Sequence, residues 1–477
     1  MKILLTGATG YIGKRLLPHL LEANHYVVCL VRDPRRFQSR YKDSNNLEIL
    51  KADLLDKESL KNIPSDIEIA FYFVHSMGSS KSDFAKLEEK AAENFVWAVN
   101  RTNAKQIIYL GGIINDEKNL SKHLSSRLNV EKILENAKPA FTILRAAIII
   151  GSGSGSFEII RDLAEKLPVM VAPKWLKTKC QPIAIKNVID YLLGVLNQPS
   201  ALNKVFDIGG PDILTYKEML IGYAQVRGLR RMIITVPVLT PHLSSYWLYF
   251  VTSTNFSLAR SLVASMKNEV ICKINGIEKV VQPKLIGYKE AIERAFKVID
   301  SHQVPSSWID SASAGNLEQN FLDKIEVPKF GCLIDERKLN YSAESERVLK
   351  NIWEIGGKKG WYTWNWAWVL RGFIDKLVGG VGLRRGRRSP TELKPGDALD
   401  WWRVILADKK SGRLILYAEM KVPGEAWLEL EVNDEEKIFI QKATFRPNGL
   451  LGRLYCYSLL SIHKIIFNGM ANKIITK

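Results

Sequence analysis

Three regularly spaced glycines at the start of the chain constrain its fold more than any other feature. The apolar run at residues 3–5 is typical of a buried parallel strand, and Gly7, Gly10 and Gly13 then give the spacing G-x-x-G-x-x-G. Apolar residues at helical intervals follow over 16–21. A strand, a glycine turn and a helix in this order predict a dinucleotide-binding βαβ unit. In such a unit the glycines let the backbone approach a pyrophosphate, and the helix N-terminus offers it free N–H groups.

A glycine turn can also close a βαβ unit without holding any ligand. The second strand predicted over 25–31 lies at the distance expected of a cofactor-binding unit, and this favours the binding interpretation. We therefore predict that the first turn contacts a dinucleotide through the following residues: Thr6, Gly7, Thr9, Gly10, Tyr11, Ile12 and Gly13.

The end of the second strand bears on the choice between NAD and NADP. An acidic residue there binds the ribose 2′-hydroxyl of NAD, whereas a guanidinium suits the 2′-phosphate of NADP. Arg32 occupies this place, with Arg35 and Arg36 close by, although Asp33 could take the hydroxyl role. We predict NADP as the cofactor, with NAD possible, and note that Arg32 could also be only a surface charge.

Two further strand ends belong to the predicted crevice. The strand over 47–50 leads to Asp53 and Leu54, where Asp53 either reaches the adenine edge or caps a following helix. The strand over 67–74 ends at Val74 and His75. Since the carboxyl ends of parallel strands face the cofactor crevice, we count these four residues as cofactor-binding candidates.

Charge and composition limit the possible partners. The formal net charge is +18, and such a charge suits nucleic acid, anionic lipid or phosphorylated ligands. The densest basic cluster, Arg384 to Arg388, is either a solvated loop or an anion-binding site. The remaining basic residues are mixed with acidic ones, so we expect no nucleic-acid partner.

Cysteine and histidine spacing argues against metal and disulfide sites. The five cysteines are scattered without a C-x-x-C pair, and the seven histidines lack H-x-x-x-H spacing. Met1 and Lys2 lead directly into the first strand, and no uninterrupted apolar run reaches spanning length. We therefore expect a cytoplasmic protein with no signal peptide, no metal and no membrane span. Oligomeric state stays open.

The last third of the chain has a different pattern. After a polar, Pro- and Gly-containing linker over 301–327, four strand-like runs with turns between them occupy 401–445. Helical spacing then continues from Leu451 to Ile474. An antiparallel sheet wrapped on one long helix is a helix-grip arrangement that encloses an apolar cavity. We predict an α/β fold with a doubly wound parallel Rossmann sheet over 1–300, including a substrate lobe, and an α+β helix-grip domain over 328–477.

Residues 1–300 resemble the atypical and extended short-chain dehydrogenase/reductases, near the NmrA-like and epimerase-like branches. The resemblance rests on T-G-A-T-G-Y-I-G at 6–13, V-R-D-P at 31–34, A-D-L at 52–54, I-L-R-A-A at 143–147 and V-F-D-I-G-G-P at 205–211. It implies a Rossmann fold and NAD(P)-dependent oxidoreductase or epimerase-like chemistry.

The catalytic pattern of that family is altered here. The family uses a Ser or Thr after the fifth strand and Tyr-x-x-x-Lys on the next helix, whereas this chain has Gly111 and Gly112, then His123 and Arg127. His123 could serve as acid and base near neutral pH, and Arg127 could hold the ribose. Alternatively, the catalytic pair is lost and the helix is structural.

The C-terminal part resembles the domain of unknown function numbered 2867, which follows this type of reductase domain in bacterial proteins. The matching segments are I-W-E-I-G-G-K-K-G-W-Y at 352–362, L-V-G-G-V-G-L-R-R-G-R-R at 377–388, G-D-A-L-D-W-W-R-V at 396–404 and A-E-M-K-V-P-G-E-A-W-L-E-L-E-V at 418–432. Three functions remain open: an NADP-dependent enzyme acting on a small apolar substrate, a non-catalytic NADP sensor, and a hydrophobic-ligand carrier.

Overall fold

The computed structural model describes two compact units, Met1–Trp308 and Ile309–Lys477. The described residues are 1–34, 37, 41, 44–74, 84–115, 122–236, 266, 268–274, 276–300, 327–328, 331–357, 359–382, 387 and 389–476, with backbone alone at 84, 122, 123, 174, 175, 236 and 300. The division between the units falls inside the 301–327 range, of which residues 301–326 lie outside the described residues.

A parallel seven-stranded sheet forms the centre of the N-terminal unit. Its strands are β1 Lys2–Thr6, β2 Tyr26–Val31, β3 Leu47–Lys51, β4 Ile69–Tyr72, β5 Gln106–Gly112, β6 Ala140–Ala146 and β11 Lys204–Ile208. Their order is β11-β6-β5-β4-β1-β2-β3. The order reverses between β1 and β4, and this switch point is where doubly wound sheets bind ligands. The predicted Rossmann sheet is therefore confirmed.

Helices cover both faces of this sheet, so its strands are apolar on both sides. The helices of the unit are α1 Gly13–Glu22, α2 Phe84–Val99, α3 Lys122–Glu135, α4 Gly155–Lys166, α5 Ile185–Gly194, α6 Tyr216–Val226 and α7 Tyr288–Asp300. In β1, Ile3 and Leu5 belong to the apolar cluster that includes α1 and α5, whereas Leu4 belongs to the cluster that includes α2 and α3. This alternation explains the continuous apolar run in the sequence.

Short strands build a second lobe beyond the main sheet. They are β7 Ile149–Ile150, β8 Val169–Pro173, β9 Lys179–Cys180, β10 Ile183–Ala184, β12 Leu214–Thr215 and β13 Met232–Val236. Its core contains the rings of Phe157, Tyr223 and Phe296, whose centroids are 5.8–6.1 Å apart. The sequence over 142–150 is rich in β-branched and apolar residues and predicts one strand. The structure divides it, because β7 leaves the main sheet and pairs with β10. The aromatic stretch 237–265 lies outside the described residues.

The C-terminal unit is an antiparallel sheet with a long final helix. Its strands are β14 Leu333–Asn340, β15 Ala398–Leu399, β16 Trp402–Asp408, β17 Arg413–Ala418, β18 Gly424–Asn433 and β19 Ile438–Pro447. Its helices are α8 Ser345–Trp353, α9 Asn365–Leu377 and α10 Gly449–Thr476. The sheet order is β14-β19-β18-β17-β16-β15. The four strands predicted over 401–445 and the terminal helix are present, and β14 and β15 join them.

The final helix α10 divides into two halves with different surroundings. Its second half enters the apolar core of the unit through Ile466, Phe467, Met470, Ala471 and Ile474. Within the described residues α10 is the one helix long and apolar enough to cross a membrane by length and composition, and little of its most apolar window is buried. The sequence analysis expected no membrane span because it looked for uninterrupted apolar runs. Helix α10 contains scattered polar residues, so it has no such run although its mean hydropathy is high.

An ion pair without solvent contact joins β16 to the end of β17. Arg403 and Glu419 are both fully buried, and the guanidinium donates two hydrogen bonds of 2.9 and 3.0 Å to Glu419 Oε1 and a third of 3.2 Å to Oε2. Arg403 also donates to the Gly396 carbonyl at 2.8 Å. Each charge is tolerated in the core because its partner satisfies it in a fork geometry.

Removing one charge of this pair should destabilise the C-terminal unit. We expect Glu419→Gln to lower its free energy of unfolding by about 3–5 kcal/mol, because the Arg403 cation stays buried without a counter-charge. Denaturant unfolding followed by tryptophan fluorescence measures this, since eight of the 12 tryptophans lie in 332–477. The control Glu336→Gln breaks an exposed pair with Lys338 and should change stability by less than about 1 kcal/mol. Equal effects of both substitutions would contradict the expectation.

Candidate functional site

The glycine turn between β1 and α1 packs more tightly than any side chain would allow. Gly7 has φ +67°, and a Cβ there would lie 2.5 Å from the Phe73 carbonyl oxygen. A Cβ on Gly13 would collide with the backbone of Gly7 and Ala8. Both positions therefore need glycine so that the turn can close against the end of β4 and the helix can approach the turn.

The middle glycine is less closely packed. Among the residues that the structure describes, a Cβ on Gly10 would meet the Gly7 carbonyl oxygen alone within 4 Å, at a tight 3.0 Å. No side chain caps the start of α1 at Ile12, and in the described part of the chain the backbone N–H groups of Tyr11 and Ile12 have no acceptor. An open glycine beside free N–H groups at a helix start is the cradle that a pyrophosphate fits.

Contacts of Tyr11 and Arg15 stabilise this turn. Arg15 lies over the Tyr11 ring at 3.9 Å and donates hydrogen bonds to the carbonyls of Tyr11 at 3.0 Å and Ser152 at 2.7 Å. Burial raises the pKa of the Tyr11 phenol to about 12, so it stays protonated. The contact to Ser152 fixes the cofactor turn to the loop that follows β7. The sequence contains no signal for this contact, because Arg15 and Ser152 are 137 positions apart in the chain.

The other predicted contacts divide into structural and accessible ones. Thr6 is buried, and its hydroxyl donates to the Phe71 carbonyl and accepts from the Phe73 N–H, at 3.0 and 3.1 Å. Leu54 is buried in the core, and Val74 packs against it. For Thr9 the structure shows no contact that decides its role, and His75 lies outside the described residues.

Asp53 forms a local turn before the next helical segment. Its Oδ1 accepts the Leu55 N–H at 3.0 Å, while its backbone N–H donates to the Ser59 hydroxyl. The helix expected around 56–60 is a 3₁₀ turn, Ser59–Asn62, whose N-cap is Glu58 without a side-chain cap hydrogen bond. The side chain of Asp53 therefore does not cap this turn, and its contact to adenine stays a prediction.

Arg32 stands just beyond the carboxyl end of β2. Its side chain is exposed, and it makes no ion pair or hydrogen bond to any residue that the structure describes. Arg35 and Arg36 lie outside the described residues. An exposed guanidinium at this end of the sheet is placed to meet an anion at the cofactor edge, whereas a guanidinium held by a carboxylate would not be available for one.

At the end of β5 the place of the missing serine is filled. A Cβ on Gly111 would lie 2.5 Å from Oε1 of Glu131, and one on Gly112 would lie 3.2 Å from the Leu124 side chain. Glu131 is fully buried and accepts from Arg145 Nε at 2.9 Å and Nη2 at 2.5 Å. Burial raises the pKa of Glu131, and the Arg145 guanidinium opposes that shift. A serine side chain at 111 is excluded by this carboxylate.

One turn earlier on α3, Arg127 also points to a protein partner. It donates to the Tyr109 hydroxyl at 2.9 Å. On the same helix Ser126 donates a short hydrogen bond to the buried Glu88 of α2. Burial raises the pKa of Tyr109, and Arg127 opposes the shift. The proposed contact of Arg127 with the ribose stays a prediction, as does the catalytic role of His123, whose side chain lies outside the described residues.

Sequence reasoning assigned no role to Glu131, Tyr109 or Glu88. The available signal was a periodic set of polar residues on α3, namely Arg127 and Glu131, in a helix packed between α2 and the sheet. Polar residues at i and i+4 on a covered helix require buried partners.

Two family models match the chain. Residues 7–169 match the family described as NAD(P)H-binding, and residues 332–470 match the one described as protein of unknown function (DUF2867). Together with the sheet order, the first match shows an NAD(P)H-binding domain with a Rossmann-like sheet. The second agrees with the family resemblance of the C-terminal part. A helix-grip identity for that part is not established by the match.

The curated relatives described here are distant, and each match covers less than half of this chain. Divinyl chlorophyllide a 8-vinyl-reductase of Arabidopsis thaliana is 21% identical over 228 residues, which are 44% of this chain and 54% of the relative. The chain thus spans about half the length of this relative. Ceramide reductase of Caulobacter vibrioides is 25% identical over 242 residues, which are 49% of this chain and 73% of the relative.

A similar solved structure is the triphenylmethane reductase of Citrobacter sp. It is 19% identical, with a TM-score of 0.50, and the match covers 62% of this chain and all of that protein. At this identity the likeness concerns the fold alone.

Two glycine substitutions should separate cofactor binding from folding. We expect Gly10→Ala to weaken NADPH binding by roughly tenfold or more, about 1.4 kcal/mol, because its methyl group enters the cradle. The matched substitution Gly13→Ala should instead destabilise the N-terminal unit by about 1–3 kcal/mol, since its methyl group meets backbone. NADPH fluorescence titration and thermal unfolding measure the two effects. Unchanged NADPH affinity in a folded Gly10→Ala protein would argue against the cradle.

Proposed function

We propose that this NAD(P)-binding Rossmann protein with its C-terminal domain is an NADP(H)-dependent oxidoreductase or epimerase-like enzyme acting on a small apolar substrate. The observation that carries the proposal is the open Gly10 cradle beside the uncapped start of α1 at the switch point of the sheet. When bound, the nicotinamide supplies hydride transfer. The chain's own residues bind the phosphates, position the cofactor and provide any proton.

The preference for NADP is supported by the charge at the end of β2. Arg32 is exposed and has no described counter-charge, and a guanidinium binds a phosphate through charge-assisted hydrogen bonds. Asp33 follows it directly, so the 2′-hydroxyl of NAD also has a possible acceptor. The two residues therefore make opposite contributions, and the measured ratio of affinities decides between them.

An apolar substrate is supported by the surface of the second lobe. The ribbon of β8 and β13 exposes Val169, Val171, Met232 and Ile234, which alternate along the two paired strands. Exposed apolar side chains on one face of a ribbon favour an apolar ligand or partner there. Both curated relatives described above carry the name of a reductase, which agrees with reduction as the reaction.

Glu131 fills the space beside Gly111, so the proton donor of an enzymatic role is not a hydroxyl at this position. A substrate that accepts hydride at an electrophilic carbon, with its proton from His123 or water, is compatible with this site. His123 lies in the first turn of the helix that passes the end of β5, and an imidazole titrates near neutral pH. The reaction proposed here needs no protein hydroxyl at position 111.

A second function, a non-catalytic NADP sensor, is favoured by the same carboxylate. In place of the catalytic residues of the family, this site has contacts between its own side chains. Glu131 accepts from Arg145, and Arg127 donates to Tyr109. Such a site binds cofactor without turnover and transmits the signal through the C-terminal unit. A hydrophobic-ligand carrier of the helix-grip type is the third proposal, which native mass spectrometry of the purified full chain tests through any co-purified ligand.

Cofactor choice depends on Arg32. We expect wild type to bind NADPH roughly tenfold to a hundredfold more tightly than NADH, because a charge-assisted hydrogen bond contributes about 1.5–3 kcal/mol. Arg32→Ala should remove this difference and leave NADH affinity unchanged. Arg101→Ala, at the opposite end of the sheet, is the control, since its guanidinium packs on Trp97. Fluorescence titration gives the NADPH and NADH affinities of all three proteins, and equal affinities in wild type would exclude the role of Arg32.

Turnover depends on His123 if the chain is an enzyme. We expect His123→Ala to abolish NADPH oxidation over a panel of carbonyl, quinone and conjugated-alkene substrates while NADPH affinity stays within about twofold, because an acid residue is removed but no phosphate contact. Ser125→Ala, an exposed position on the same helix, is the control. A wild type that binds NADPH but oxidises none of the panel supports the sensor, and full activity in His123→Ala rejects the catalytic assignment.

A further inference from the structure

Helix α9 in the C-terminal unit exposes apolar side chains and buries a charged one. Its exposed stripe follows the helical repeat and is entirely apolar: Trp366, Val369, Leu370, Phe373, Ile374 and Leu377. The opposite side carries Asp375, which is fully buried and accepts the N–H groups of Lys421 and Gly382 at 2.7 and 2.8 Å. A water-facing helix has the reverse arrangement, with charges outward. The orientation of α9 is held by these two hydrogen bonds.

The first half of α10 has the same character. Gly452 and Cys456 are its buried residues over 449–465. Most of its remaining circumference exposes large apolar side chains: Leu450, Leu451, Leu454, Tyr457, Leu460 and Ile462. Since the second half lies in the core of the unit, this first half is held in place at one end and presents apolar residues to its surroundings.

The two exposed stripes adjoin. Arg371 of α9 donates to the Tyr455 hydroxyl of α10 at 3.2 Å and to the Lys421 carbonyl at 3.4 Å. The rings of Trp368 and Phe467 lie 6.4 Å apart. We call the exposed apolar side chains of α9 and of residues 449–465 the apolar cap.

The apolar cap is larger than a soluble protein normally exposes. Trp366, Phe373 and Tyr457 are 64%, 55% and 59% exposed. With about 150–250 Å² for each aromatic side chain, they alone expose about 300 Å². The largest apolar patch on a monomer is usually about 300–600 Å², and the aliphatic members add to it. A surface of this size requires a partner.

The exposed charges that α9 and α10 themselves carry at the cap are basic, and the acidic residue nearest to α10, Asp335, is paired with Arg337. The chain has no Asp or Glu from 449 to 477, and the acidic residue of α9 is the buried Asp375. The exposed rim instead carries Lys421, Arg453 and Lys464. A second copy of this surface would place like charges opposite each other in a two-fold interface. The complementary partner is apolar in its interior and anionic at its surface.

We propose that the apolar cap docks this protein onto an anionic lipid bilayer. The leucine, isoleucine and phenylalanine side chains enter the acyl boundary, Trp366 and Tyr457 lie at headgroup level, and the basic rim meets the lipid phosphates. The helix α10 does not cross the bilayer, because its second half is fixed in the core: Asn351 donates to the Ile474 carbonyl and Gln441 to the Phe467 carbonyl. The contact is therefore interfacial.

Vesicle flotation of the full chain tests the proposal. Wild type should float with vesicles of phosphatidylglycerol and phosphatidylcholine at a 3:7 ratio and bind pure phosphatidylcholine more weakly. Phe373→Glu with Leu451→Glu should weaken binding at least roughly tenfold, because two apolar side chains that enter the bilayer in this proposal are replaced by carboxylates. Arg453→Gln and Lys464→Gln should each weaken it roughly fivefold. The matched control is Ile213→Glu with Ile274→Glu, two exposed isoleucines of the N-terminal unit, which should float like wild type.

Circular dichroism measures whether each variant is folded, and light scattering measures its oligomeric state. Should the double glutamate variant fail to fold, quenching of tryptophan fluorescence by brominated phosphatidylglycerol in wild type and Trp366→Phe gives an independent readout, with less quenching expected in Trp366→Phe. The proposal is overturned if wild type stays in the lipid-free fraction, or if the protein with Phe373→Glu and Leu451→Glu floats like wild type. It is also overturned if wild type is a dimer that this double variant dissociates, because the apolar cap would then be covered by a second copy.

Discussion

The approach of α1 to the glycine turn is the constraint on which the N-terminal half depends. A side chain at Gly13 or Gly7 would separate the helix, β1 and the end of β4, and the crevice at the switch point exists only while these three meet. The Arg15 contact to Ser152 then joins this turn to the loop after β7. Cofactor binding and the packing of the sheet are thus consequences of one close backbone approach.

The chemistry of the site follows from a second close approach, between Glu131 and Gly111. The buried carboxylate needs the Arg145 guanidinium as its counter-charge, and its position needs a residue without a side chain opposite it. Gly111 therefore lies beside a buried ion pair and carries no hydroxyl.

The C-terminal unit uses buried charge in another way. Asp375 and the pair of Arg403 with Glu419 take polar groups inward, while α9 and the first half of α10 carry apolar side chains outward. The core itself is filled by Trp361, Trp401 and Phe439 together with the second half of α10. Of the clustered tryptophans, Trp361 is therefore a core residue, whereas Trp364 and Trp366 lie at the surface.

The sequence by itself determined the elements whose causes are local. The glycine spacing specified the βαβ unit, alternation specified the strands of 402–447, and helical spacing specified α10, because each pattern lies within one continuous segment. Tertiary structure decided what depends on distant residues: the filling of the Gly111 site by Glu131, the pairing of Arg127 with Tyr109, and the division of the predicted strand over 142–150. It also decided which side of an apolar helix faces outward, since the periodicity of α9 is the same whether its stripe meets a core or a bilayer.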